Sequence, residues 1–201
     1  MKQITKSSEP ALFSDWKQQN IPLGMGYGDL HGNVKGVLHA AIMQEQGWIC
    51  CYCEDRIGQD DSHIDHFCPQ KGVNACPNQT LDYQNLLASW QRTVLKRPER
   101  CGMLKGDWFN VTLLISPLNP GCENRFRYAA DGAISPANPQ DQVARVTIDK
   151  LGLDIDKLRA LRASALQALE DLPRDKVQKI LDHPISGQFQ PFYTTIRKLL
   201  T

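Results

Sequence analysis

Two histidines and an aspartate stand within four positions, His63–Ile64–Asp65–His66, and this cluster restricts the chain more than any other feature. On a strand, alternation puts Ile64 on one face and His63 and Asp65 on the other, with His66 where the chain turns out. A lone histidine is ordinarily a satisfied core or surface residue. Three titratable groups this close together point to a metal or acid–base site, and a polar edge strand is the plainer alternative. Upstream, Cys50 and Cys53 form a C-x-x-C pair. Two thiolates at that spacing grip one face of a zinc ion, whereas a closed structural site needs four ligands. A redox pair would normally open a helix after a strand. Here the pair leads through Glu54–Asp55–Arg56 towards a turn and a strand, which favours the metal knuckle. Downstream, Asn85 precedes the apolar Leu86–Leu87–Ala88 and, taken alone, reads as a helix cap.

The rest of the chain sets bounds. At 201 residues, 41% apolar and 22% charged, it has enough material for a core without crosslinks. Its seven cysteines are an odd number and no export signal precedes them, so reduced thiols or metal ligands are expected rather than disulfides. The polar start MKQITKSSEP lacks a signal's apolar segment, and no apolar run has membrane-spanning length, so a cytoplasmic protein with no membrane association is expected. A net charge of +1 gives no global sign of nucleic-acid binding. Local charge differs: Arg92, Lys96, Arg97, Arg100 and Lys105 are opposed only by Glu99, making this stretch the candidate phosphate-facing surface, with a solvated loop as the alternative.

Periodicity predicts a helix from Asn33 to about Gln46, stopped by Gly47, with Trp16 a buried anchor before it and Gly24–Gly28 a loop. From Trp48 to about Lys71 helical spacing disappears, residues 72–81 are turn-rich, and Tyr83–Gln91 again has a helix-like pattern. Phe126–Tyr128 and Ala133–Ser135 flank Asp131–Gly132 as a short hairpin. Residues 139–201 read as three helical pieces: one ending near Gly152, one capped by Asp154, and one interrupted by Pro184 and Pro191.

The segments CCYCEDRI, HIDHFCPQ, DYQNLLASW and CGMLKG, in this order, resemble the HNH nucleases of bacterial anti-phage operons: the PtuB component of Septu systems and the HNH effector of certain retrons. The likeness extends from about residue 33 to 165 and includes SPLNPGCENRFRYAADGAI and LGLDIDKLRALR. It implies an α+β fold with a ββα-metal core over 47–110, preceded by a loop and helix over 1–46 and followed by a family-specific hairpin and helical region over 111–201. It also implies roles. His66 would be the general base that activates water, and Asp65 would bind Mg²⁺ or Mn²⁺, with His63 a second candidate ligand. Asn85 would brace the loop that aims the His66 ring.

Two positions depart from the family pattern. Where a second cysteine pair is expected, Trp90 takes the first place and only Cys101 remains, so Cys50, Cys53 and Cys101 give a structural zinc site three ligands. The last HNH letter falls on Gly102, leaving Asp107, Asn110 or a neighbouring element to complete the metal site. The resemblance further implies DNA or RNA, tRNA included, as substrate. It implies as partners an ABC/SMC-type ATPase of the PtuA kind and, in a retron setting, a reverse transcriptase with its nucleic acid. A non-cutting adaptor for nucleic acid or a partner protein is the alternative, and a thiol redox protein using Cys50 and Cys53 is a third reading.

Overall fold

A computed structural model describes residues 1–91 and 99–201. Two antiparallel strands, β1 (Ser62–His66) and β2 (Leu86–Trp90), pair with Asp65 opposite Leu87 and His66 opposite Leu86. A short helix, α3 (Cys101–Lys105), packs against β2. Before them lie α1 (Ala11–Asn20) and α2 (Gly32–Glu45). After them come a hairpin, β3 (Phe126–Tyr128) with β4 (Ile134–Pro136), and four helices: α4 (Gln142–Leu151), α5 (Asp156–Gln167), α6 (Arg174–Asp182) and α7 (Tyr193–Leu200). This is a mixed, α+β architecture.

Helix α2 forms where spacing predicts it. Val34, Leu38 and Ile42 recur every four residues and are buried, each worth roughly 1.5–3 kcal/mol on removal from water. It stops at Gly47, whose φ of +64° suits glycine, and the Trp48 N–H closes back onto the Met43 carbonyl at 2.8 Å. A side chain at Gly47 would also strike the Phe189 ring, so C-terminal residues are packed directly on the end of this helix. The main core draws on all parts of the chain, from Ile4 and Phe13 through Ile64 and Leu87 to Leu158 and Phe192. A smaller cluster around Val177, Leu181 and Ile196 joins α6 to α7.

Several sequence expectations need correction. Tyr83–Gln91 is not helical: Tyr83–Asn85 make a single 3₁₀ turn and Leu86–Trp90 are a strand buried on both faces. A short, continuously apolar run fits a buried strand as well as a helix, and pairing with β1 decides it. Helix α1 was not anticipated, because its apolar face is only Phe13 and Trp16. The last helical piece is two helices, α6 and α7, separated by the segment that holds Pro184 and Pro191. Asp154 does not cap α5. Its carboxylate instead accepts the Ile134 N–H at 2.9 Å and pairs with Arg159, joining the hairpin to that helix. Finally, Cys68 and Cys76 are joined in a disulfide, contrary to the expectation of unpaired thiols. The turn-rich segment between them folds back so that the Cys76 N–H reaches the Pro69 carbonyl at 2.9 Å, which brings the two sulfurs together. The other five cysteines are unpaired and buried.

Candidate active site

Strand β1 presents His63 and Asp65 to a cleft of about 450 Å³. Its walls are the loop at Pro69–Gln70–Lys71 and the α3 side at Gly102, Met103, Gly106 and Asp107. Asp65 is only 7% exposed, so its charge needs partners. Tyr52, from the cysteine turn, donates to Oδ2 at 2.6 Å. The Lys105 ammonium lies 3.4 Å from Oδ1, and His63 Nε2 lies 3.9 Å from the same oxygen. Burial opposes ionisation, but Lys105, His63 and Tyr52 together outweigh it and hold the carboxyl below the usual carboxylate range.

Gly102 explains how Asp65 sits so close to α3. A Cβ at this position would lie 2.7 Å from the Asp65 Cγ, and the Gly102 N–H donates to Ser89 Oγ at 2.9 Å. The place where the motif expects its last side chain is therefore filled by the Asp65 carboxylate.

His66 ends β1, and its partners fix the ring. Nε2 lies 3.0 Å from the Thr80 carbonyl, which can only accept, so Nε2 carries the proton in the neutral ring. The amide nitrogen of Gln70 lies 3.3 Å from Nδ1 and donates, leaving Nδ1 the lone pair. Gln70 itself is exposed on the cleft wall and can yield to water. The Tyr27 ring meets the imidazole edge-on at 4.4 Å between centroids. Burial pushes the His66 pKa down, more than the Thr80 carbonyl and the Asp65 charge push it up, so the neutral base is favoured near neutral pH.

Asn85 does not cap a helix. Its side chain accepts the Cys68 N–H at 2.7 Å and donates to the Cys68 and Gln79 carbonyls at 2.9 and 3.1 Å. It clasps both ends of the loop that supplies Gln70 and Thr80 to the His66 ring, and the Cys68–Cys76 disulfide closes the same loop.

Behind the cleft, Cys50, Cys53 and Cys101 bring their sulfurs within 4.8 Å of one another, a group that could hold a metal ion. Cys50 and Cys101 sulfurs are 3.7 Å apart, close to the ~3.8 Å edge of a tetrahedron with 2.3 Å zinc–sulfur bonds. The Trp90 N–H points at the Cys50 sulfur at 3.3 Å. Burial raises all three thiols, but hydrogen bonds from Cys101, Cys51 and Cys53 prevail at Cys50 and pull it down, while Cys53 and Cys101 stay raised. The Trp90 ring carries the Arg100 guanidinium 4.0 Å from its centroid.

Comparison with known proteins adds an independent line. The chain is 31% identical over 140 residues to the HNH endonuclease named for retron Vc95 of Vibrio cholerae, covering 68% of this chain and 66% of that protein. It is 29% identical over 96 residues to the HNH endonuclease named for retron Ec83 of Escherichia coli, covering 44% of this chain and 36% of that protein. The chain is a relative of the retron HNH endonucleases. The matches span less than two thirds of each relative's own length. No protein-family model matches the chain. Both relatives carry the endonuclease name.

Set beside these retron relatives, the sequence-predicted residues divide. Asp65, His66 and His63 share the cleft, and Asn85 holds its loop. The basic surface does not survive as expected. Arg100 is 1% exposed and pairs with Asp55 at 2.6 Å, and Lys105 is 3% exposed with its ammonium on the His66 carbonyl at 2.9 Å. Both cations are turned inward because Asp55 and Asp65 are there to receive them. Arg92, Lys96 and Arg97 lie outside the described residues. Tyr52, Tyr27 and Thr80 were missed. Tyr52 could have been suspected from its place between the two cysteines, whereas Tyr27 and the Thr80 carbonyl are brought in by long-range folding that no local pattern announces. Among the described residues, no helix is long and apolar enough to cross a membrane.

Proposed function

We propose that the chain is a metal-dependent HNH endonuclease with a ββα-metal core over residues 47–110, hydrolysing phosphodiester bonds in DNA or RNA, tRNA among the candidates. The observation that carries this reading is the His66 ring, with its proton held by the Thr80 carbonyl and Nδ1 turned to the cleft beside Asp65. Water entering where Gln70 stands would lose a proton to Nδ1 as it attacks phosphorus, and the resulting imidazolium would be steadied by the nearby Asp65 charge. Asn85 and the disulfide-closed loop keep the ring at that angle. Tyr52 occupies Oδ2 of Asp65, and Oδ1 is shared between Lys105 and His63.

A divalent cation at the cleft would be held by Asp65, with His63 the second candidate ligand, once the Lys105 ammonium 3.4 Å from Oδ1 has yielded its place. Asp65 Oδ1 and His63 Nε2 are 3.9 Å apart, so His63 would turn towards the ion to share it as a neighbouring ligand. Such an ion, Mg²⁺ or Mn²⁺, would offset charge on the phosphate in transition and on the leaving oxygen. The three sulfurs suit a structural Zn²⁺ in spacing, and Trp90 takes the sequence position where the family pattern has a further cysteine.

The names of the retron relatives support a retron setting; we extend this to a role as the toxic arm of an anti-phage system of the retron or Septu (PtuB) type, acting in the cytoplasm. We assign it an ABC/SMC-type ATPase partner of the PtuA kind, with a retron reverse transcriptase in a retron setting, and offer the helical C-terminal third, residues 139–201, as the docking side. One observation favours a second reading, a catalytically weak adaptor: Gly102 leaves the last motif position without a side chain, and Lys105 already holds Asp65. The test is to incubate the purified chain, alone and with its genomic neighbours, with DNA, RNA and tRNA in Mg²⁺, Mn²⁺ or EDTA. Cleavage that needs the cation and His66 supports the nuclease. Binding without cleavage, unchanged by His66→Ala, establishes the adaptor instead.

A further inference from the structure

We infer that Lys35, standing over the Tyr27 ring, is a contact for the nucleic-acid backbone on the Tyr27 side of His66. The inference rests on the nuclease reading and says where the strand runs. Tyr27 meets the His66 ring edge-on at 4.4 Å, and the Lys35 ammonium lies 5.3 Å from the centre of the same Tyr27 ring. The Tyr27 ring thus touches the proposed base and carries the Lys35 ammonium.

Three features make this flank suited to phosphate. First, Lys35 is exposed and, among the described residues, has no ion-pair partner, whereas Lys6, Lys17 and Lys105 are each held by an acid. The nearest acidic residue in the preceding loop, Asp29, is engaged with the Gly26 N–H at 2.8 Å. Second, Gly32 lies one turn before Lys35 on the same face of α2, and a Cβ there would meet nothing within 4 Å. The fold does not demand a glycine at that position; its effect is to keep the surface beside Lys35 low. Third, Arg100 and Lys105, the cations expected to face phosphate, point inward, which leaves Lys35 and the cleft-wall Lys71 as exposed positive groups beside the site, with Asp107 facing Lys71 across the cleft.

The distances decide which phosphate is meant. The two ring-to-group spacings place the ammonium within a few nucleotides of the base, at a rise of about 3.4 Å per nucleotide along a strand. A strand whose scissile phosphate lies between His66 and the Asp65 side must carry its neighbouring phosphates past one flank or the other. On the Tyr27 side they meet an ammonium seated on an aromatic face. A lysine there is a point charge that reads the backbone and no base edge.

The test uses the full chain carrying His66→Ala, so that probes stay uncut. Affinities for fluorescent single-stranded DNA, single-stranded RNA and duplex DNA are measured across a salt series, with Lys35→Ala, Lys35→Arg and Lys176→Ala added singly. The expected result for Lys35→Ala is several-fold weaker binding at low salt. Its slope of log affinity against log salt should be shallower by about 0.9 on duplex DNA or about 0.7 on a single strand. Lys35→Arg and Lys176→Ala should keep the parental slope, and the probe on which the change appears identifies DNA or RNA as the source of the phosphate. A parental slope for Lys35→Ala on every probe that binds overturns the inference and leaves the nuclease reading standing. A parent that binds none of the probes overturns both.

Discussion

The β1–β2 unit and the helices α4–α7 differ in how many charged and polar groups they bury beside a cleft. Around β1 the buried side chains include Asp65, His66, Asn85 and Lys105, each 7% exposed or less. In the C-terminal helices they are chiefly Leu151, Leu158, Leu166, Val177 and Leu181, and the buried Arg162 there spends its donors on the Gly132 and Leu153 carbonyls rather than on a cleft. Aliphatic burial stabilises directly, whereas a buried charge costs several kcal/mol unless it is paired. The β1 region supports its charges with Tyr52, Lys105 and the Asn85 clasp, an arrangement that packing alone would not require. The difference teaches that one region holds the molecule together and the other holds a reactive group in place.

Substitutions in the two regions should therefore separate rate from stability. The largest effect is expected from His66→Ala, a loss of about 10²–10⁴ in cleavage rate with the circular dichroism spectrum unchanged. Equal activity in the variant would remove the distinction on the β1 side. Leu158→Ala, in α5, should cost about 2–5 kcal/mol in urea unfolding, while the rate per folded molecule stays at the parental value.

Replacing both Cys68 and Cys76 by serine sharpens the contrast, since the disulfide lies in the site region but closes a chain segment of sequence separation 8. Loop entropy sets its stabilisation at about 2.5 kcal/mol, and the same variant should cut slowly because the loop carries Thr80 and Gln70. A stability loss with full activity would show that the loop holds its shape without the crosslink.

The smallest effect concerns Asp141, which caps α4 by accepting the Ala144 N–H and is gripped by Arg125. Asp141→Ala should cost about 1 kcal/mol. The Arg125 hydrogen bonds, more than burial opposes them, hold the Asp141 carboxyl below its usual value. A depressed carboxyl contributes stability that is present above its unfolded pKa and lost as pH falls through the folded one. The variant should therefore show a shallower decline of melting temperature on the acid side than the parent.

How much of this was legible in the sequence follows the same division. Helix α2 and the start of the C-terminal helices could be read because aliphatic residues recur at helical spacing on one face, and Asp131–Gly132 marked the hairpin. The cleft residues Asp65 and His66 stood out by density alone. What could not be read depends on contacts between distant segments. Leu86–Trp90 has a run too short and too apolar to show its period, and only pairing with β1 makes it a strand. Arg100 and Lys105 look like surface charge until Asp55 and Asp65 are brought to them. The Cys68–Cys76 pairing depends on a fold-back that residue spacing does not encode.

The most direct test of the central claim is the protonation site of the His66 ring, measured by ¹⁵N–¹H long-range correlation NMR at neutral pH, with His66→Ala used to assign the signal. The account predicts a neutral imidazole protonated at Nε2, with Nδ1 showing the shift of an unprotonated ring nitrogen. A ring protonated at Nδ1, or a fully charged imidazolium, would contradict it, because no lone pair would then face the cleft.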